Sequence, residues 1–420
     1  MSRAPEPTDA GSPPPTVPPK PGAIDPRDAW ARIAAEVEPL DAELVPVAQA
    51  AGRWAASDLL AALSLPHDTN SAMDGFVGRA AELPLAAAPI VGESRAGVPF
   101  EGEVPAGSVV RIATGAALPA GLDAVVPIEL AEVDEAAQTA RLPAANVGAH
   151  LRHAGEDVRA GELLVPAGTR LAANHLVALA AAGVARVPCV RRPVVSLVVT
   201  GDEVVPPGTV PARGQVIDVH GTALPVLIEA SGGEVGEIHH ATDGVTDLGA
   251  VLDALAPCDV VVVTGGLSVG RHDHTRPAFA ARGVELLVER LLMRPGQPTA
   301  VGRTAGRLWF GLPGNPVSAY VVATLLLTPA LRALAGDPHA AIVPGRARLR
   351  NAVRPDPRRW LALRAELQTA DAHHEVVLLD GQASHMMGDL ARADRLALLP
   401  PGEAELEPGD EVAVVALPGR

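Results

Sequence analysis

Between residues 259 and 316 the chain twice runs from an unbroken apolar stretch straight into a loop of Gly, Asn and Pro. Asp259 opens Val-Val-Val-Val-Thr264, which ends in Gly265-Gly266-Leu-Ser268-Val-Gly270, and Leu308-Trp-Phe-Gly-Leu312 ends in Pro313-Gly314-Asn315-Pro316. A strand of β-branched residues with no polar face has to be covered on both sides, as in a parallel sheet. Such sheets hold ligands in the crevice beyond the carboxyl ends of their strands, where both loops fall. Glycines let the backbone approach a ligand. Asn315 as N-cap, with Pro316 at the first helical position, leaves amide donors facing outward, which suits a phosphate. The expected ligand is therefore anionic and nucleotide-like.

The pattern around these loops sets the organisation. Residues 191–336 alternate strand and helix: strands at 194–199, 234–239 and 260–264, helices near 223–231, 246–256 and 275–283. This is a βαβ series and predicts a doubly wound parallel α/β domain, placed at 191–338. Pro329 is expected to restart a helix after Thr328. Short Val/Ile/Leu runs broken by Pro and Gly predict an inserted β-domain over 64–150. It splits a helical domain made of 24–63 and 151–190, with helices at 26–37 and 171–182. Residues 339–420 return to short strands and turns, a C-terminal β-domain. The Pro-rich residues 1–23 read as a disordered tail. With 420 residues the chain is long enough for several domains of this multidomain α/β plus β class.

Charge and residue usage exclude several functions. A formal charge of −15 argues against nucleic-acid binding, which draws its affinity from cationic contacts to phosphate. Lysine occurs once, at Lys20, so a Schiff-base or P-loop lysine is absent from 21–420. Cys189 and Cys258 form no Cys-x-x-Cys motif, which fits a reducing cytoplasm. No signal peptide is visible and no apolar run is expected to span a membrane. The pairs His239-His240 and His373-His374, and His272 and His274 around Asp273, lack a third ligand at a zinc-motif spacing. Hydrolase and dinucleotide motifs are missing from the α/β segment.

Five loops are expected at one sheet edge: Thr200-Gly-Asp-Glu203, Asp218, Asp243-Gly244, 264–273 and 294–316. Four of them carry a carboxylate, and Mg²⁺ prefers one or two carboxylates plus substrate phosphates. Between 264 and 298, Arg271, Arg276, Arg282, Arg290 and Arg294 outnumber Asp273, Glu285 and Glu289, a local cationic excess expected to attract an anionic substrate, most of all through Arg271 and Arg294. A second cluster, Asn70-Ser71-Ala72-Met73-Asp74-Gly75 with Thr114-Gly115, is expected to form another wall for a ligand.

Together these motifs resemble the MoeA family of molybdopterin molybdenumtransferases, which also includes gephyrin and the E domain of its plant counterpart. Asn70 to Gly75, Thr114-Gly115, Arg152 with Gly155-Glu-Asp157, Thr200 to Glu203, Gly265-Gly266 with Ser268 and Gly270, Asp273, and Gly311 to Ser318 follow the family's order across about 24–415. The resemblance implies a homodimer of the molybdopterin-binding fold. It implies insertion of molybdate, a substrate, into adenylylated molybdopterin with Mg²⁺-dependent release of AMP. Asp243 and Asp273 map to the metal-binding acids, and Asp157, Glu203 and Asp218 to acidic site positions. Thr264 to Gly270 and Pro313, Gly314, Asn315, Pro316 and Ser318 would cradle pterin and phosphate, with Arg364 and Ser384 near the oxyanion. The molybdopterin adenylyltransferase and apo molybdoenzymes are the implied partners.

Three positions depart from the family pattern. Thr69 stands where Asp is usual before the Asn-Ser-Ala-Met run, and Asp218-Val219-His220 replaces Asp-Thr-Asn or Asp-Ser-Asn. Arg294-Pro-Gly-Gln297-Pro298 replaces Lys-Pro-Gly-Lys-Pro. A chain that avoids lysine explains Arg294 but not Gln297, which removes a cation from the site. The alternative these departures raise is an impaired paralogue that carries the pterin without turnover.

Overall fold

A computed structural model describes residues 22–267, 273–370 and 373–418; the Pro-rich tail up to residue 21 and Ser268, Gly270, Arg271 and His272 lie outside the described residues. The chain divides into two compact units, one of residues 1–41 and 190–420, the other of residues 42–189.

In the first unit a six-stranded sheet has the order Glu234–Ala241, Val194–Thr200, Val260–Thr264, Arg307–Leu312, Ala300–Thr304, Glu285–Val288. Its first four strands are parallel. Arg307–Leu312, Ala300–Thr304 and Glu285–Val288 then run as an antiparallel meander at one side, a detail the apolar runs do not specify. The valine run separates two cores by its alternation. Val260 and Val262 join Leu197, Phe310 and the helices His220–Ala230 and Pro316–Val322. Val261 and Val263 join Leu248, Leu252 and Phe279 from Val245–Ala254 and Thr275–Ala280. Each strand residue is thus buried on one face or the other, which explains the absence of any polar position in the run.

Two expectations about helices change. The segment 316–334 does not break at Thr328. It is one 19-residue helix in which Pro316–Val322 passes through a π-turn at Ala323–Leu327 into Thr328–Leu334. Pro329 has no N–H to give and its ring crowds the carbonyl four residues back; the wider π-turn just before it accommodates both defects. With a mean hydropathy of 1.6 this helix does reach spanning length and apolarity, contrary to the sequence expectation, but 78% of it is buried inside the protein as a core element. The other change concerns Pro26–Ala34. Asp25 caps it by accepting from the Arg27 amide, and Ala29 and Ile33 pack into the α/β core beside Val288. Its apolar face is therefore covered by the α/β sheet.

The terminal β-domain is a closed structure. Trp360–Ala370 pairs with both His373–Leu378 and Arg395–Leu399, and Gly345–Leu349 and Glu411–Ala416 complete the ring. Closure leaves no free strand edge. Met293–Arg294 adds to Trp360–Ala370 from the α/β segment, so the barrel is fastened beside the strand-end loops.

The second unit contains a six-stranded sheet in the order Ala124–Pro127, Gly75–Gly78, Val109–Ile112, Leu85–Ser94, Thr139–Leu142, Glu132–Asp134. Phe76 and Val77 face opposite cores of this sheet. A separate small core gathers Val45, Leu59, Leu171, Leu179 and Val187 around the helix Ala173–Ala181.

Candidate functional site

Strand register explains how loops distant in sequence meet. Thr200 lies opposite Ala241, Val199 opposite Thr264, and Thr264 opposite Leu312, so the carboxyl ends of the parallel strands are level. The loops that follow open together onto a cavity of about 1260 Å³, whose far wall is the barrel loop 382–387. Glu203, Asp218 and Asp243 line it, as do Gly265, Gly266, Arg294 and Gln297. Pro313, Gly314, Asn315, Pro316 and Ser318 form its floor with the start of the long helix, and Ser384 comes from the barrel.

Backbone conformation makes the glycines necessary. Gly265 and Gly266 have φ of +92° and +60°, and a Cβ would lie 2.5 Å from Thr200 Oγ1 at the first and 2.7 Å from Thr275 Oγ1 at the second. No side chain fits there. Gly265 N–H donates to the Leu312 carbonyl at 3.0 Å, locking the two loops together. Asn315 is the helix N-cap by position, yet its side chain does not cap; Nδ2 donates to Ser384 Oγ at 3.1 Å.

Asp218 is buried and its carboxylate is fully used: Oδ1 accepts from the Gly221 amide at 2.9 Å and Oδ2 from His240 Nε2 at 3.0 Å. Next to it His220 is 9% exposed and donates from Nε2 to the Gly314 carbonyl at 2.9 Å. Burial pushes the His220 pKa down, against the opposing pull of the Gly314 carbonyl and the Asp218 charge. Glu203 and Asp243 are exposed to the cavity without a cationic partner among the described residues, although the Asp243 amide is held by Asp202 Oδ1 at 3.0 Å.

Several expected residues stand elsewhere. Asp273 does not line the cavity; its carboxylate pairs with Arg276 at 2.6 Å, and its backbone bridges Leu267. Thr264 is buried in the sheet, with its carbonyl accepting from Thr200 Oγ1 at 2.9 Å. Arg364 is 0% exposed, so it is not a surface for an oxyanion. Its guanidinium donates to the carbonyls of Gly381 and Ala383 and holds the loop that carries Ser384, while Nε and Nη1 have no partner among the described residues. Burial lowers its pKa. Of the described arginines of 264–298 only Arg294 lines the cavity, and Arg271 lies outside the described residues. Arg276 is spent on Asp273, and Arg282 on Asp253 and the Gly249 and Ala278 carbonyls, leaving Arg294 on the cavity wall. Arg276 is satisfied three residues away within its own turn, and Arg282 by the neighbouring helix Val245–Ala254.

The motif residues of the second unit fold together there. Gly115 N–H donates to the Ser71 carbonyl at 2.8 Å, and the Asp74 carboxylate accepts from the Thr114 amide at 2.6 Å and its hydroxyl at 2.9 Å. Those two bonds, the amide first, hold the Asp74 pKa below the usual carboxylate range. Arg152 pairs with Asn70 along the backbone, Met73 is exposed, and Asp157 is an exposed residue whose amide bonds to the Leu65 carbonyl.

Thr200 lines the cavity with the loop expected there, whereas sequence reasoning missed Arg359, Gln382, His385 and Met387 as cavity residues. Their segments show no distinctive motif; only the Asp380-Gly381 turn hinted that a loop began there.

Among the described residues no group of three or more His, Cys, Asp and Glu could hold a metal by itself. The donor set that remains, the unpaired carboxylates of Glu203 and Asp243, suits a magnesium ion that draws its other oxygens from a polyphosphate and water.

Comparison with known proteins agrees with this geometry. Three family models match consecutive parts of the chain: the MoeA N-terminal region (domain I and II) over 24–183, the probable molybdopterin binding domain over 196–333, and the MoeA C-terminal region (domain IV) over 346–417. The molybdopterin molybdenumtransferase of Haemophilus influenzae is 34% identical over 303 residues, 71% of this chain and 74% of that protein. Molybdopterin molybdenumtransferase 2 of Mycobacterium tuberculosis is 33% identical over 392 residues, 88% of this chain and 94% of the relative. The crystal structure of a molybdopterin biosynthesis MoeA protein from Pyrococcus horikosii superposes with a TM-score of 0.79 at 29% identity, covering 95% of this chain and all of that one.

Proposed function

Since the chain belongs to the MoeA family of molybdopterin molybdenumtransferases and serves molybdenum cofactor biosynthesis, we propose that its cavity inserts molybdate into adenylylated molybdopterin with Mg²⁺-dependent release of AMP. The observation that carries this reading is the meeting of Glu203 and Asp243 with the amide-rich loops at 265–266 and 313–315 in one cavity of nucleotide size.

Each group has a part. The N-terminus of the long helix and the glycine loops bind phosphate through backbone N–H groups. Glu203 and Asp243 would hold Mg²⁺, which when bound neutralises charge on the pyrophosphate. Asp273, the second metal-binding acid of the resemblance, would first have to leave Arg276. Arg294, Gln297 and Ser384 would receive the oxyanion, and Arg364 would keep Ser384 in place. Asp157 and the residues around Asn70 and Thr114 are assigned to the substrate by the resemblance alone. A cytoplasmic homodimer that hands its product to apo molybdoenzymes completes the reading.

A carrier that keeps the pocket without turnover is the second reading, and Gln297 favours it: the amide that replaces a lysine has an Nε2 with no partner among the described residues. The deciding experiment supplies adenylylated molybdopterin, Mg²⁺ and molybdate, and follows AMP together with reconstitution of an apo molybdoenzyme. AMP release with reconstitution supports the transferase; tight binding without AMP selects the carrier, and absence of binding removes both.

A further inference from the structure

We propose that His220 is a positioning residue that sets the orientation of the Gly314–Asn315 peptide, and so decides whether the phosphate cradle at the start of the long helix is formed. The inference rests on the reading of this cavity as a nucleotide-phosphate site. A trans peptide is planar, with its C=O and N–H pointing in opposite directions. With the Gly314 oxygen held by His220 Nε2 at 2.9 Å, the Asn315 N–H is turned the other way, and no backbone acceptor among the described residues takes it. The loop has little other restraint. Gly265 N–H pins Leu312 just before it and Ser384 holds the Asn315 side chain, but Gly314 has glycine's freedom and, among the described residues, its only close neighbour on the side a Cβ would occupy is Gly265 Cα, 3.5 Å away. His220 itself is fixed by its place at the first turn of His220–Ala230, behind an Asp218 carboxylate that caps the Gly221 amide.

From the 218–220 segment the hydrogen bond to this loop comes from His220, and the imidazole stands where the family pattern has asparagine. The role thus belongs to this chain's own residue.

The test uses the full chain with His220→Ala and His220→Gln, glutamine keeping an N–H donor. In His220→Ala, KM for adenylylated molybdopterin should rise roughly ten-fold, as expected for losing a buried hydrogen bond, with kcat changed less than about three-fold. His220→Gln should return KM to within about three-fold of the parent. A role confined to stability would lower the melting temperature and leave KM of the folded fraction unchanged, and that result overturns the proposal; so does failure of glutamine to restore KM. A second readout needs no substrate. Amide hydrogen exchange across 313–318 should speed up in His220→Ala and recover in His220→Gln, while strand 194–200 stays protected. If the parent protein bound no nucleotide, the functional reading would fail on its own, and the exchange result would still decide whether His220 orders the loop; unchanged exchange there rejects the inference.

Discussion

Asn315 Nδ2 and Ser384 Oγ lie 3.1 Å apart, and this single bond ties the N-cap of the long core helix to a loop of the terminal barrel across the cavity. The bond is exposed, so it contributes little to stability, of the order of 1 kcal/mol or less. Its consequence is positional. Ser384→Ala should leave the melting temperature within a degree or two while raising KM for molybdate several-fold, measured by AMP release at varied molybdate. An unchanged KM would place the oxyanion elsewhere.

Asp243 offers the cavity a carboxylate with no ion-pair partner among the described residues, whereas Asp273 is neutralised by Arg276. Asp243→Asn should therefore cut AMP release by about a hundred-fold or more, with a smaller effect on nucleotide binding. Titration of activity against Mg²⁺ in both Asn variants separates the two acids. A larger loss from Asp273→Asn than from Asp243→Asn would mean that the Arg276 pair opens in the working enzyme.

Gln297 is where the two functional readings part. Gln297→Lys adds a cation to a cavity wall that holds Arg294 and Arg359 against Glu203, Asp218 and Asp243. Molybdate affinity should improve several-fold and become more sensitive to ionic strength. If the parent chain is a carrier, AMP release should appear only in this variant; equal rates in both remove the argument from Gln297.

At Gly265, alanine would have to adopt φ of +92° with its Cβ 2.5 Å from Thr200 Oγ1. Gly265→Ala is expected to cost more than about 1 kcal/mol, because the contact and the backbone strain add. Urea unfolding reads the stability, and nucleotide binding should fall with it. Retention of both would show that the loop relaxes freely.

Burial depresses the His220 pKa, so in the range between the folded and unfolded values the unfolded chain binds the extra proton. Stability from this group is present above the ordinary histidine value of about 6.5 and is lost as the pH falls below it toward the depressed value. His220→Gln should flatten that part of the stability profile. If parent and variant lose stability in parallel there, the titration belongs to other groups.

Much of this could be read without coordinates because it depends on local constraints. A run such as Val260 to Val263 permits only a strand covered on both faces, and Gly265-Gly266 and Pro313-Gly314-Asn315-Pro316 permit only tight turns, so the sheet and its ligand-facing ends were legible. The fates of charged residues were not. Arg276, part of the cationic excess along 264–298, pairs with Asp273, and Arg364, expected near the oxyanion, is buried behind the loop it holds. A proline such as Pro329 signals a helix restart in sequence, whereas the packing of its neighbours decides whether a π-turn absorbs it.

By itself the order of residues determined which segments become strands, where their glycine turns fall, and which acids follow them, since alternation, chain stiffness and missing N–H groups act over a few residues. Only the tertiary structure decided which side chains share a cavity. Strand register levels Thr200, Thr264 and Leu312 and brings Glu203 and Asp243 together, while packing against the barrel adds Ser384 and hides Arg364. Long side chains pair with whatever the fold places within a few ångströms, and that distance is set by contacts between parts of the chain a hundred residues apart.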